Sequence, residues 1–172
     1  MDNFSVGDKV IYPNQGIGVV EDIQQSNLYG EEAQIYHLRI KANDTLIMVP
    51  SAYAEEIGIR KLISHDKLQK IFHFLEDGMV NVTKNWKGRH KEHVELMKSG
   101  LILDVAMVLK SLFCLDLIKP LSFREKKMME KAKELLVVEI CEVADCSPEE
   151  IEHRVQDKLT ACFENTTLQM DS

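Results

Sequence analysis

The spacing of hydrophobic residues changes near Pro50, and this change constrains the fold more than any other feature. Before Pro50, apolar residues recur at every second position in short runs such as residues 34–41, which is the spacing of half-buried strands. After it they recur three and four residues apart, as at Leu68, Ile71 and Leu75, which is the spacing of amphipathic helices. The sequence therefore predicts an α+β chain in which a β part precedes a helical bundle.

The β part reads as five short strands joined by tight turns. Four of these strands are placed at residues 9–12, 17–23, 34–41 and 45–49, and polar residues near 26–32 predict a hairpin turn. Gly16 and Gly18 suit a sharply bent strand, so a small barrel or a strongly bent sheet is expected. A dinucleotide-binding motif would need a third glycine and a following helix, and neither accompanies these two glycines. The β part is therefore predicted to be a binding module.

Helices are expected from residue 50 onward. Their predicted spans are residues 52–57, 66–75, 101–117 and 148–163, together with one helix that begins near Trp86 and one that begins after Ser122. Ser122 and Glu125 have the Ser-x-x-Glu spacing of a capping box. Residues 164–172 are expected to fray. The boundary between the two parts is placed at residue 58.

The chain's only tryptophan, Trp86, lies in a basic stretch, since residues 83–91 carry four positive charges and no acid. Two interpretations are open. Because tryptophan is usually largely buried, Trp86 could fill the junction between two small domains. Alternatively, it is an aromatic wedge held against nucleic acid by phosphate-binding cations.

Positive charge is concentrated in the middle of an otherwise acidic chain. The net charge of −7 divides into −4 over residues 1–64, +4 over residues 65–135 and −7 over residues 136–172. Such asymmetry is typical of a local polyanion site, although a solvated helical surface also carries many lysines.

The composition predicts a soluble cytoplasmic protein. No stretch approaches the roughly 18 consecutive apolar residues of a membrane span, and residues 1–5 lack the features of a signal peptide. The four cysteines match no zinc or redox spacing and are predicted to be reduced, mostly buried thiols: Cys114, Cys141, Cys146 and Cys162. No cofactor, metal or small-molecule substrate is expected.

The chain is not predicted to be an enzyme. The best candidates for a metal site are His90 and His93, with Glu92 and Glu95 beside them. Histidines three residues apart on an amphipathic helix are more often solvated or packed than metal-bound. No third ligand is predicted, so this alternative is the weaker one.

Two ordered sets of motifs resemble the CarD/CdnL family of bacterial transcription regulators. The opening Phe4-x-Val6-Gly7-Asp8-x-Val10-x-Tyr12-Pro13-x-x-Gly16 is similar to a module that also occurs in transcription-repair coupling factors. The resemblance to the helical domain of CarD proteins is carried by Asn85-Trp86, Arg89, Lys91, Ser99-Gly100, Leu121-Ser122 and Glu125-Lys126-Lys127-Met128. Together these motifs span roughly residues 4–160.

The resemblance implies an adaptor with two domains. A Tudor-like β domain, residues 1–58, would bind the β subunit of RNA polymerase. A helical domain, residues 59–172, would contact promoter DNA at the upstream edge of the transcription bubble and modulate open-complex stability. The implied DNA contact is to the minor groove and phosphates without sequence specificity, and its residues are Trp86, Lys84, Asn85, Lys87, Arg89, Lys91, Lys126 and Lys127. The protein would then associate with the nucleoid through polymerase.

The implied polymerase contact runs along a sheet edge, where backbone hydrogen bonds give affinity. The matching segments are residues 21–27 and 46–49, and the predicted contact residues are Ser26, Leu46, Ile47, Met48 and Val49. Some relatives place basic residues where this chain has Ser26 and Met48, so Arg39 and Lys41 are candidates to supply that charge. The alternative is a polymerase-binding adaptor that makes no direct DNA contact, with Trp86 structural.

Overall fold

The computed structural model describes residues 3–28, 30–78, 80 and 86–170, with the backbone alone for residues 28, 86 and 167–170. It divides into two compact units, Met1–Leu62 (the β unit) and Ile63–Ser172 (the helical unit). The elements are β1 Lys9–Tyr12, β2 Gly16–Leu28, β3 Glu31–Ile40, β4 Leu46–Pro50, α1 Ser51–Ile57, β5 Arg60–Lys61, α2 His65–Glu76, α3 Trp86–Ser99, α4 Ile102–Ile118, α5 Phe123–Ala144 and α6 Pro148–Met170. The predicted α+β class is confirmed.

The β unit is one antiparallel sheet with strand order β4-β3-β2-β1-β5. Its inner face buries alternate residues of β3, namely Tyr36, Leu38 and Ile40. Phe4 packs edge-to-face on Tyr36, with 5.5 Å between the ring centroids. The sheet bends where the pairing register of β2 shifts between Val20 and Asp22. The inner face therefore carries the main core of the β unit.

The fifth strand of the sheet follows α1 in the chain. Gly58 ends α1 with φ of 93°, a left-handed conformation that glycine adopts without a Cβ clash. Arg60 and Lys61 then pair with Ile11 and Val10 of β1. The expected boundary at residue 58 falls before this strand, because a two-residue run gives no alternation to detect.

The hairpin of β2 and β3 is longer than expected. Residues 26–27, which predicted a turn, continue β2 and pair with Ala33 and Glu32 of β3. Only residues 16–19 of β2 pair with β1, and only residues 35–39 of β3 pair with β4. Within the described sheet, the far ends of β2 and β3 thus pair only with each other. We call these far ends, residues 25–28 of β2 and 31–34 of β3, the arm. The arm is largely exposed, which accounts for its polar residues.

The helical unit has one core, to which all five helices α2–α6 contribute, α3 through Met97. Leu112 and Val108 of α4 and Ile140 of α5 are fully buried. In the described part of the chain, no helix is long and apolar enough to cross a membrane.

The ends of the long helices follow their capping residues. The predicted capping box is confirmed, since Ser122 Oγ accepts from the backbone N–H of Glu125 and the Glu125 carboxylate accepts from that of Ser122. Helix α6 continues to Met170, so the expected end near residue 163 is wrong. Thr166 Oγ1 donates to the carbonyl of Gly78 at 2.8 Å, which attaches these last turns to the segment after α2.

The cysteines are free thiols in the structure, and Cys114 and Cys162 are buried. Burial, followed by the neighbouring Cys162 thiol, raises the pKa of Cys114 to about 12. A thiol with that pKa stays protonated at neutral pH and behaves as a packing residue.

Candidate nucleic-acid interface

Trp86 is the first residue of α3, as the sequence predicted. Its side chain, Lys84 and Asn85 lie outside the described residues. The side chains of Lys87 and Lys91 are exposed on the first turns of the same helix. The basic stretch therefore leads directly into a helix start, where the macrodipole adds positive potential.

Arg89, a predicted DNA contact, is buried in the helical unit. It is 8% exposed, and its guanidinium donates twice to Glu125 Oε1, from Nη2 at 2.7 Å and from Nε at 3.0 Å. Glu125 is 3% exposed, so the pair is shielded from water. The Arg89 charge is therefore partnered inside the helical unit, where it links two helices, and its predicted phosphate contact stays a prediction.

The Arg89–Glu125 bridge joins two basic stretches that are 36 residues apart in the chain. Arg89 lies in the first turn of α3 and Glu125 in the first turn of α5. The exposed side chains of Lys126 and Lys127 directly follow Glu125. We define the basic surface as Lys87, Lys91, Arg124, Lys126 and Lys127. The one acid of residues 86–91 and 122–127 is Glu125, and Arg89 neutralises it.

His93 is a packed residue. It is 4% exposed, and burial is the main cause that lowers its pKa below the ordinary histidine value. The nearby Arg89 charge adds to this effect, while Glu92 opposes it. No group of three or more His, Cys, Asp or Glu in the described chain could hold a metal ion.

A second candidate interface is the edge strand β4, which pairs on one side with β3. The side chains of Leu46 and Met48 point away from the core and are 37% and 59% exposed. Ile47 and Val49 point into the core, where Val49 is 2% exposed. Of the predicted contact residues on β4, Val49 can therefore offer an edge partner only its backbone groups, whereas Ile47 is half-buried.

The sheet register places Ser26 on the same face as Met48. Met48 pairs with His37, which pairs with Asp22, and Ser26 lies two alternations further along β2. Ser26 is thus on the projecting arm and not on the β4 edge. Arg39 pairs with Leu46 across the strands, but its Nε donates to Glu21 Oε1 at 2.8 Å. Its charge is therefore already partnered.

Phe123 is a candidate that the sequence analysis missed. It is the first residue of α5 and is 72% exposed. Its position off the apolar stripe that buries Ala132 and Leu136 was the available signal. The Nζ of Lys127 lies 4.6 Å from the centroid of its ring.

Comparison with known proteins identifies both units. A family model described as the CarD-like/TRCF RID domain matches residues 4–63, and one described as the CarD C-terminal domain matches residues 70–156. YdeB of Bacillus subtilis (strain 168), described as a transcription factor, is 30% identical over 137 residues, which are 80% of this chain and 90% of YdeB.

Two solved structures from Myxococcus xanthus are similar to part of this chain. The solution structure of the 72-residue N-terminal domain of CarD is 34% identical with a TM-score of 0.30, and covers 34% of this chain and 77% of that one. CdnLNt is 37% identical with a TM-score of 0.31, and covers 38% of this chain and 92% of that one. From the two family models and the YdeB match, the chain belongs to the CarD family, and it is a transcription regulator.

Proposed function

We propose that the chain binds the β subunit of RNA polymerase through β4 and contacts promoter DNA through the helical unit. The DNA contact is at the upstream edge of the transcription bubble. There Trp86 enters the minor groove and opposes re-closure of the duplex, which changes the stability of the open complex. This function needs no catalysis and places the protein in the cytoplasm with polymerase.

The observation that supports the DNA contact best is the joining of two helix starts by the Arg89–Glu125 bridge. The bridge gathers the exposed cations of α3 and α5 around the start of the Trp86 helix, in residues whose one acid is neutralised. Cations bind phosphates without reading sequence. Inserting an aromatic wedge unstacks the bases at a cost of a few kcal/mol, and the extra contacts that the distorted DNA makes with the protein offset this cost. A bubble edge is already distorted, so the wedge costs less there.

Tethering explains how an acidic protein acts on DNA. A few phosphate contacts give weak intrinsic affinity, and the affinity falls with salt. Docking on polymerase raises the effective concentration of the basic surface at the promoter, so weak contacts suffice. The exposed backbone edge of β4 fits such docking, because a partner strand can pair with it while Leu46 and Met48 supply side-chain contacts.

Replacing Trp86 with alanine should remove the effect of the protein on open-complex lifetime. An aromatic contact with a base is worth about 1–3 kcal/mol, which corresponds to a change of roughly five- to 150-fold in lifetime. The measurement compares wild type, Trp86→Ala, Trp86→Phe and no added protein on one promoter fragment with a bacterial polymerase. We expect Trp86→Phe to keep part of the effect.

Circular dichroism serves as the folding control for this comparison. If Trp86→Ala unfolds the helical unit, Trp86 is structural and the adaptor acts without direct DNA contact. A folded Trp86→Ala that acts like wild type would also contradict the wedge.

Exchanging the outward side chains of β4 should weaken polymerase binding while the β unit stays folded. The double variant Leu46→Glu/Met48→Glu changes two exposed positions and leaves the core residue Val49 in place. Loss of two apolar contacts, each worth above about 1 kcal/mol, predicts a binding loss of roughly tenfold or more. The measurement is equilibrium binding to purified polymerase, with Val6→Glu, exposed at 61% outside β4, as the matched control. If the double variant binds polymerase as well as Val6→Glu does, the docking site is not on β4.

A further inference from the structure

An exposed apolar cluster lies at the turn between α4 and α5. Leu117, Ile118 and Phe123 are 53%, 69% and 72% exposed and fall within seven residues of one another in the chain. Phe123 is the most exposed of the large hydrophobic residues described. The capping box of Ser122 and Glu125 caps the start of α5 without help from the Phe123 ring. The Phe123 ring is therefore not part of the core of the helical unit.

The surroundings of Phe123 are cationic. Lys119, Arg124, Lys126 and Lys127 are exposed, and the Nζ of Lys127 lies 4.6 Å from the centroid of the Phe123 ring. Of the two acids near the turn in the chain, Glu125 pairs with Arg89, and Asp116 keeps its charge while its Oδ1 accepts from the backbone N–H of Leu121 at 3.4 Å. The four exposed cations outnumber this one acid, so the cluster suits an anionic ligand that offers flat apolar surface.

Nucleic acid with unpaired bases meets both requirements. Its phosphates match the cations, and an unpaired base offers a face that can stack on an exposed aromatic ring. A base inside a duplex is already stacked on its neighbours and hides that face. An acidic peptide would match the cations but would not need an aromatic platform.

We propose that Phe123 is a second aromatic contact, which stacks on an unpaired base beside the duplex edge held by the Trp86 helix. The Arg89–Glu125 bridge supports this arrangement, because Glu125 is two residues after Phe123 and Arg89 is three residues after Trp86. The proposal rests on the proposed function and makes it more specific. The DNA ligand of the helical unit is a junction between paired and unpaired strands.

The test measures binding of the full chain to two fluorescent oligonucleotides at low salt by anisotropy, one forked and one fully paired. Phe123→Ala should weaken binding to the forked DNA by at least about fivefold and leave binding to the paired DNA unchanged. Phe123→Tyr keeps the ring and should bind the fork like wild type. Phe123→Leu keeps apolar size without a π face and should behave like Phe123→Ala. Val138→Ala, at an exposed position further along α5, is the control.

Equal loss on both DNAs would overturn the stacking role, since Phe123 would then act on duplex. Unchanged binding to the fork by Phe123→Ala would also overturn it, and so would full retention by Phe123→Leu. A Phe123→Ala variant that loses polymerase affinity and keeps fork binding would assign the cluster to a protein partner instead. Measuring open-complex lifetime with Trp86→Ala in parallel separates the two proposals, because that variant tests the wedge and leaves Phe123 in place.

Discussion

Glu125→Ala is expected to lower the free energy of unfolding of the helical unit by about 3–5 kcal/mol, because it leaves the Arg89 guanidinium buried without its carboxylate. The same change removes one half of the α5 capping box, whose loss alone costs about 1 kcal/mol. The measurement is urea denaturation followed by circular dichroism, with the midpoint and the slope fitted separately. An effect below about 1 kcal/mol would contradict the buried bridge.

A double variant separates the charge from the packing. Arg89→Met/Glu125→Leu replaces both partners with apolar side chains of similar size, and such replacements of buried pairs are often neutral or stabilising. We expect it to recover most of the stability that Glu125→Ala loses. If the double variant is as unstable as Glu125→Ala, the capping box of α5, and not the Arg89–Glu125 bridge, determines the stability where α3 and α5 begin.

The bridge also changes the expected behaviour of Arg89 in DNA assays. If Arg89 positions the helix starts, then Arg89→Ala loses DNA effects because α3 and α5 separate, and it loses stability in parallel. Lys91→Ala and Lys126→Ala, at exposed positions, should weaken DNA contacts while the fold keeps its stability.

The local elements could be predicted from the sequence because their signals are local. Apolar spacing gave the helices of the bundle, and the Ser122 and Glu125 pair gave the start of α5 within its own four residues. The strands β1 to β4 followed from alternation and turn residues. Each of these signals spans only a few positions, so a single sequence contains all of it.

The features that the sequence did not predict depend on contacts between residues that are far apart in the chain. The Arg89–Glu125 bridge joins residues 36 positions apart, and nothing in the composition near Arg89 separates a buried guanidinium from a phosphate-binding one. The strand β5 exists because Arg60 meets Ile11, and its two residues carry no pattern of their own. The same holds for Phe123, whose exposure depends on what α4 and α3 leave uncovered.

Lys110→Ala should destabilise the helical unit by about 3–5 kcal/mol, although it removes a charge from the core. Lys110 is fully buried in α4, and its Nζ donates to the carbonyl of Phe74 at 2.7 Å and lies 4.5 Å from the centroid of the Phe74 ring. Phe74 is in the last turn of α2, where carbonyls have no partner within the helix. Alanine would leave both a cavity and an unsatisfied carbonyl.

Lys110→Met distinguishes the two contributions to this loss. Methionine fills most of the lysine volume but cannot donate to the Phe74 carbonyl. It also removes the cost of burying an ammonium group. We expect its unfolding free energy to lie within about 1 kcal/mol of wild type, since the cost of the lost hydrogen bond and the gain from removing the buried charge are of similar size. Urea denaturation of the two variants side by side decides the question. If Lys110→Met is as unstable as Lys110→Ala, the hydrogen bond to the end of α2 is the dominant contribution. In that case Lys110 holds the last turn from which the chain departs toward Trp86.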